Sequence, residues 1–288
     1  MLLFGIAAIS VLSAVWAAIG GPLWVAPVCF VSTFLGLLVL AALFLLVACL
    51  VVDKNKPQEK DSRFYRVMAK WYIQAVITLV RLKVRTKGME QLPKDGRFLM
   101  VCNHIHDLDP AILLHCFPNS QLAFIAKQET KDYFVIGPVL HKLQCQLVNR
   151  ENDREALKTI LKCIQMVKED QASVAVFPEG YVSLDGKLRH FRSGVLKIAQ
   201  KANVPIVVCT IRGTKEVLPR LMKLRSSAVD VHLVGVISAE DVKAVSTVDL
   251  AEQVYEMMIS DLGEELRSEE KAMHPDLQRQ RMEQSMKI

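Results

Sequence analysis

The first 52 residues contain no Asp, Glu, Lys, Arg or His, so all 36 basic and 30 acidic side chains of this 288-residue chain lie beyond them. A stretch of that length without charge is unsuited to the water-facing surface of a domain. Crossing a hydrocarbon layer of ~30 Å takes ~20 apolar residues in a helix. The stretch divides into two such lengths around "GGPLWVAP", roughly residues 2–19 and 28–52. Residues 1–52 therefore read as a membrane anchor, either a transmembrane helical hairpin or one span with a re-entrant segment. A cleaved signal peptide is the competing reading of the first segment. It lacks a basic leading region, and a longer apolar segment follows at once. Lys54, Lys56, Lys60, Arg63 and Arg66 follow the second span and no basic residue flanks the first. The positive-inside rule then makes the chain an integral membrane protein with residues 53 onward on the cytosolic face.

Residues 53–80 read as a basic amphipathic linker helix. Phe64, Val67, Met68, Trp71, Ala75 and Leu79 share a helical stripe, with Arg63, Arg66 and Lys70 beside it. Such a stripe either lies in the headgroup layer or forms core for the domain that follows. That domain, residues 81–268, is long enough to bury a core without disulfides. The seven cysteines are odd in number, scattered and without CxxC pairing, as buried reduced thiols would be. Candidate strands are 82–86, 97–102, 121–126, 145–149, 172–177, 205–211 and 229–237. Candidate helices are 110–116, 152–168, 192–202 and 247–271. Continuous apolar runs such as "FLMVC" suit strands covered on both faces, so the expected fold is α/β with a mixed central sheet flanked by helices. Residues 269–288 read as a polar tail. The net charge of +6 suits an anionic partner without selecting one. Nucleic acid is disfavoured, since acidic residues interrupt the basic ones and no recognised binding motif is present.

Two short segments carry chemistry. "NHIHDLDP", residues 103–110, leaves the carboxyl end of a buried strand, where α/β sheets place their ligands. A carboxylate that fixes the tautomer of a neutral imidazole makes it a competent general base near pH 7. Spacing leaves three pairings open: His104 with Asp109, His104 with Asp107, and His106 with Asp109. Asp109 also suits the N-cap of a helix whose first residue is Pro110. Metal binding is disfavoured because a third ligand at comparable spacing is missing. The second segment, "VFPEGYVS", ends another strand in a turn that presents Glu179 and backbone amides at a sheet edge.

Together the two segments resemble the glycerophospholipid acyltransferase family, whose type member is 1-acyl-sn-glycerol-3-phosphate acyltransferase. The likeness runs over about residues 80–212 and includes "IAKQE" at 125–129, "LVNR" ending at Arg150, "FRSG" at 191–194 and "VPIVV" at 204–208. It implies that His104 and Asp109 are the catalytic pair, His104 removing the proton from a lysophospholipid hydroxyl that then attacks a thioester. The expected substrate-binding residues are Asn103, Lys127, Arg150, Glu179, Gly180 and Arg192, with Arg150 on the acceptor phosphate and backbone amides near Gly180 as oxyanion donors. The implied activity moves a fatty acyl chain from acyl-CoA or acyl carrier protein to the sn-2 hydroxyl of lysophosphatidic acid, without a cofactor. The implied partners are the lysophospholipid acceptor, the acyl donor and membrane lipid.

The chain departs from the family at several points. Tyr181, Val182 and Ser183 replace the usual Thr-Arg-Ser, which removes one arginine. Gln144 stands where a glycine is common, and Val208 where a second proline is common. Another lipid acceptor, or a silent lipid-binding relative, are the alternatives these differences raise.

Overall fold

The computed structural model describes residues 1–57, 60–149 and 152–271, the last three by backbone only. Two apolar helices, α1 (Leu2–Gly20) and α2 (Val25–Leu50), lie against each other as a hairpin, and both are long and apolar enough to cross a membrane. The hydroxyls of Ser13 and Thr33 meet at 3.1 Å between them, pairing two polar groups on otherwise apolar helices. At 26 residues α2 is about 39 Å long, more than the ~30 Å of a bilayer core. Its last turns run alongside α3 (Arg63–Leu79). There Tyr65 Oη donates to the Ala48 carbonyl at 2.7 Å and Tyr72 Oη to that of Ala41 at 2.6 Å.

The α3 stripe is core for only part of its residues. Met68 and Ala75 turn into the core with Tyr65, while Phe64, Val67, Trp71 and Leu79 stay exposed beside Arg63 and Lys70. The apolar residues outnumber what one helical face can bury, so they occupy two faces.

After α3 the elements run β1 (Leu82–Lys87), β2 (Leu99–Cys102), α4 (Asp109–Cys116), β3 (Leu122–Lys127), α5 (Ile136–Lys142), β4 (Gln146–Val148), α6 (Asp153–Lys168), β5 (Ser173–Val176), β6 (Leu188–His190), α7 (Lys197–Ala202), β7 (Ile206–Arg212), α8 (Val217–Met222), β8 (Ser227–Ile237), α9 (Ala239–Ala244), α10 (Thr247–Leu262) and β9 (Arg267–Lys271). Among the described residues, seven strands form one mixed sheet in the order β1-β8-β7-β2-β5-β3-β4. The five from β7 to β4 are parallel, and β8 with β1 run the other way. This is the mixed α/β sheet the apolar runs predict. The strands at its centre, "LMVC" and "SVAV", are buried throughout because helices cover both faces.

One face carries Met100, Cys102, Cys209 and Ile211 against α3, α4 and Val217 of α8. The other carries Leu99, Val101 and Val208 against α6, α7, α9 and α10. Each such side chain is worth roughly 1.5–3 kcal/mol when fully removed from water. The carboxyl ends of the five parallel strands share one edge of the sheet, and the loops leaving β2 and β5 meet there.

Several expected boundaries move. The helix expected over 192–202 is a 3-10 turn followed by the short α7, which stops at Asn203 with φ 57°. The long helix expected over 247–271 ends at Leu262, because Gly263 breaks it. Residues 267–271 then return as β9 beside β6, so the first residues of the expected polar tail are a strand; residues 272–288 lie outside the described residues. Gln144, where the family often has glycine, has φ 59°, the left-handed region that glycine enters freely.

Candidate active site

The loop from β2 to α4 is built around Asp109. Its side chain has no exposure, and Oδ2 takes three hydrogen bonds: His104 Nδ1 at 2.9 Å and the amides of Ile105 and His106 at 2.8 Å each. Of the three pairings open in the sequence, His104 with Asp109 is the one formed. Asp107 is exposed, and His106 Nδ1 accepts from the Leu108 amide at 3.1 Å. Asp109 is not the expected N-cap. It is the first residue of α4, with Leu108 at the cap position, and its carboxylate reaches back to the loop amides.

With Nδ1 donating to Asp109, Nε2 carries the lone pair and has no hydrogen-bond partner among the described residues. The imidazole is fixed on a second side by Phe177, whose ring stacks on it at 4.1 Å and 18°. Phe177 stacks in turn beside Phe124 at 6.1 Å. The His104 side chain keeps 13% exposure, enough for Nε2 to meet a substrate at the edge of the sheet.

The loop after β5 holds the backbone of His104 from both sides. Glu179 Oε1 accepts from the His104 amide at 2.9 Å, and the Ser183 amide donates to the His104 carbonyl at 2.8 Å. Glu179 Oε2 accepts from the Arg189 amide at 3.3 Å. Burial pushes the Glu179 carboxyl up to about 8, against the opposing pull of those two amides and of the Arg189 charge. Arg189 is itself buried and forks onto Asp185 at 2.8 Å through two nitrogens. Burial alone would raise Asp185, but Arg189, the Lys187 amide and the Ser183 hydroxyl outweigh it and hold it at about 2.

Two expected substrate contacts therefore have other work. Glu179, at 2% exposure, braces the His104 loop. Asn103 is buried too, and its amide group bonds the backbone of Ile211 twice, donating to the carbonyl at 3.0 Å and accepting from the amide at 2.8 Å. It fastens the end of β2 to β7. Gly180 has φ 83° and its amide donates to the Phe177 carbonyl at 3.0 Å, so that amide closes the turn and is not a free oxyanion donor. Lys127 is exposed at the carboxyl end of β3. Arg192, also exposed, lies over the Tyr181 ring at 5.5 Å and against Gly180, where an added Cβ would come within 3.2 Å of its Nε. Arg150 lies outside the described residues.

Sequence reasoning missed Phe177 as the stacking partner of His104, although it is the first residue of the quoted Phe-Pro-Glu-Gly. It also missed Ser183, Asp185 and Arg189. The pairing of Asp185 with Arg189 follows from the β6 strand, too short to leave a periodic signal.

Comparison with known proteins identifies the family. The family model described as Acyltransferase matches residues 83–212. A probable 1-acyl-sn-glycerol-3-phosphate acyltransferase of Mycoplasma genitalium is 32% identical over 203 residues, 64% of this chain and 72% of that protein. The 1-acyl-sn-glycerol-3-phosphate acyltransferase of Saccharomyces cerevisiae is 26% identical over 201 residues, 69% of this chain and 66% of the yeast protein. In fold, the chain matches the crystal structure of the 1-acyl-sn-glycerophosphate acyltransferase PlsC from Thermotoga maritima, with a TM-score of 0.59 and 22% identity over 79% of this chain and 89% of the other. The chain belongs to the acyltransferase family that these relatives represent, and it is an enzyme of that type.

Proposed function

We propose that this enzyme transfers a fatty acyl group from a thioester donor, acyl-CoA or acyl carrier protein, to the sn-2 hydroxyl of lysophosphatidic acid, giving phosphatidic acid. The observation that carries the reading is the His104–Asp109 contact of 2.9 Å with Nε2 left as an acceptor. His104 Nε2 takes the hydroxyl proton as that oxygen attacks the thioester carbonyl, and Asp109 stabilises the imidazolium that forms. The tetrahedral intermediate collapses by breaking the carbon–sulfur bond. The departing thiolate takes the proton back from His104, so no covalent acyl-enzyme and no cofactor is needed. Arg192 and Lys127, exposed at the same edge of the sheet, are the proposed cations for the acceptor phosphate, and the sequence motif adds Arg150 to them. A guanidinium suits that task through its paired donors. The acyltransferase activities for which the relatives are named support this acceptor.

The apolar hairpin supports a membrane-embedded anchor, which suits an acceptor and a product that both live in lipid. The basic residues after α2 favour the cytosolic side for the catalytic domain. Val182, in place of an arginine beside the loop, favours a second reading in which the acceptor is another lysophospholipid. Purified chain supplied with acyl-CoA, acyl carrier protein and a panel of lysolipids tests both. Turnover of lysophosphatidic acid at least tenfold above lysolipids with other headgroups supports the first, and the reverse order establishes the second.

A further inference from the structure

The turn from β7 to β8 carries α8, and the sequence 215–225, "KEVLPRLMKLR", is built unlike an ordinary water-facing surface. Val217 is buried at 1% and fixes the helix to the sheet. Leu218, Met222 and Leu224 are 53%, 86% and 80% exposed, three large apolar side chains on one short knuckle. Arg220, Lys223 and Arg225 are exposed among them, and Glu216 is the one acid of this segment. Leu224 also has φ 54°, a conformation leucine adopts at a cost.

Three placements say what covers the knuckle. Val217 packs into the same core layer as Ile77 of α3 and Ala48 of α2, so α8 lies on the hairpin side of the sheet. Arg81, two residues past α3, donates to the Leu224 carbonyl at 3.3 Å, which makes the knuckle continuous with the exposed Val76 and Leu79 at the end of α3. And α8 follows the carboxyl end of β7, neighbour of β2, so it stands on the edge that carries His104. Apolar side chains that enter the acyl boundary, ringed by cations that meet phosphate groups, fit the surface of an anionic bilayer.

We infer that Leu218, Met222 and Leu224, with Arg220, Lys223 and Arg225, dock on an anionic lipid surface and hold the His104 edge of the domain against the membrane in which the hairpin sits. The inference rests on the membrane reading of the hairpin but not on the identity of the acyl acceptor. Each basic residue near an anionic surface shifts the ratio of docked to undocked forms about fivefold.

The test uses the full chain in vesicles of phosphatidylcholine with and without phosphatidylglycerol, the acyl chains brominated to quench tryptophan. Trp16, Trp24 and Trp71, all exposed, are replaced by Phe, and a single tryptophan is introduced as Met222→Trp or, on the opposite edge of the sheet, as Val248→Trp, a site 66% exposed. Quenching at 222 and not at 248, strengthened by phosphatidylglycerol and cut at least tenfold in docked fraction by Arg220→Glu, Lys223→Glu and Arg225→Glu together, is the expected result. Equal signals at 222 and 248 overturn it. So does protection of position 222 that follows protein density and not bromine, which would assign the knuckle to a second copy of the chain. A sample keeping only Trp16 reports on the hairpin. If Trp16 is quenched and 222 is not, the docking inference fails alone; if neither is quenched, the membrane reading fails with it.

Discussion

Two histidines among the described residues lie within hydrogen-bonding distance of an aspartate: His104 at 2.9 Å from Asp109 and His232 at 3.0 Å from Asp261. Distance does not separate them; their surroundings do. Asp109 is fully buried on a loop that turns the amides of Ile105 and His106 to it, and His104 is held through backbone, ring face and Nδ1 at once. The second pair joins β8 to α10. Asp261 also takes the Thr210 hydroxyl at 2.6 Å and the Arg212 side chain, and its side chain is 18% exposed. Its carboxyl lies below the usual range: burial would raise it, but Thr210, His232 and Arg212 together prevail. In the proposed mechanism the first pair prepares one ring nitrogen for a substrate, whereas the second ties a helix to a sheet.

The sharpest way to break that contrast is to remove each imidazole. His104→Ala should lower acyl transfer about 10²–10⁴-fold, the usual contribution of a positioned general base. His232→Ala should leave turnover within about twofold and cost on the order of 1 kcal/mol of stability, read as a small fall in Tm. A large rate loss in His232→Ala would mean that the second pair belongs to the chemistry.

Asp109→Asn tests whether the carboxylate sets the tautomer. Three N–H donors point at Oδ2, so an amide keeps the shape while removing the charge. Turnover should fall by about 10²–10⁴ and stability by roughly 2 kcal/mol, visible together by kinetics and denaturant titration.

Glu179 sharpens the comparison through pH. Its carboxyl is raised from 4.5 to about 8 in the folded chain. Between those values the folded state keeps a proton that the unfolded state has lost, so stability declines as pH rises through that window and levels off above it. In Glu179→Gln this part of the slope should vanish, measured as Tm from pH 5 to 9. An unchanged slope would place the titration elsewhere.

A small effect, comparable to that of His232→Ala in stability, is expected of Gly180→Ala. The φ of 83° is strained for alanine, and the new Cβ would press on Arg192 Nε at 3.2 Å. About 1 kcal/mol of stability should be lost, with a rise in KM for the acceptor if Arg192 holds its phosphate.

Much of this was legible in the chain itself. The charge-free leader gave the hairpin, and the continuous apolar runs gave the parallel strands, because both signals are one-dimensional. Both loops of the site were found from composition and position. Their division of labour was not. The family resemblance makes Glu179 and Asn103 expected ligand groups, yet both are turned inward onto backbone atoms that only the assembled sheet brings near. The elements missed, α5, β6, α8, α9 and β9, are seven residues or shorter, below the length at which a hydrophobic period can be counted.

The two tyrosine hydroxyls that fasten α3 to the last turns of α2 leave no slack between anchor and catalytic domain. Contacts at Ala41 and Ala48 oppose a swinging of the domain on a tether to gather substrate from the aqueous phase. In the proposed lipid setting its reach is set by geometry: the catalytic nitrogen keeps a constant height above the leaflet, and supply of the acceptor is governed by two-dimensional diffusion in the plane of the bilayer.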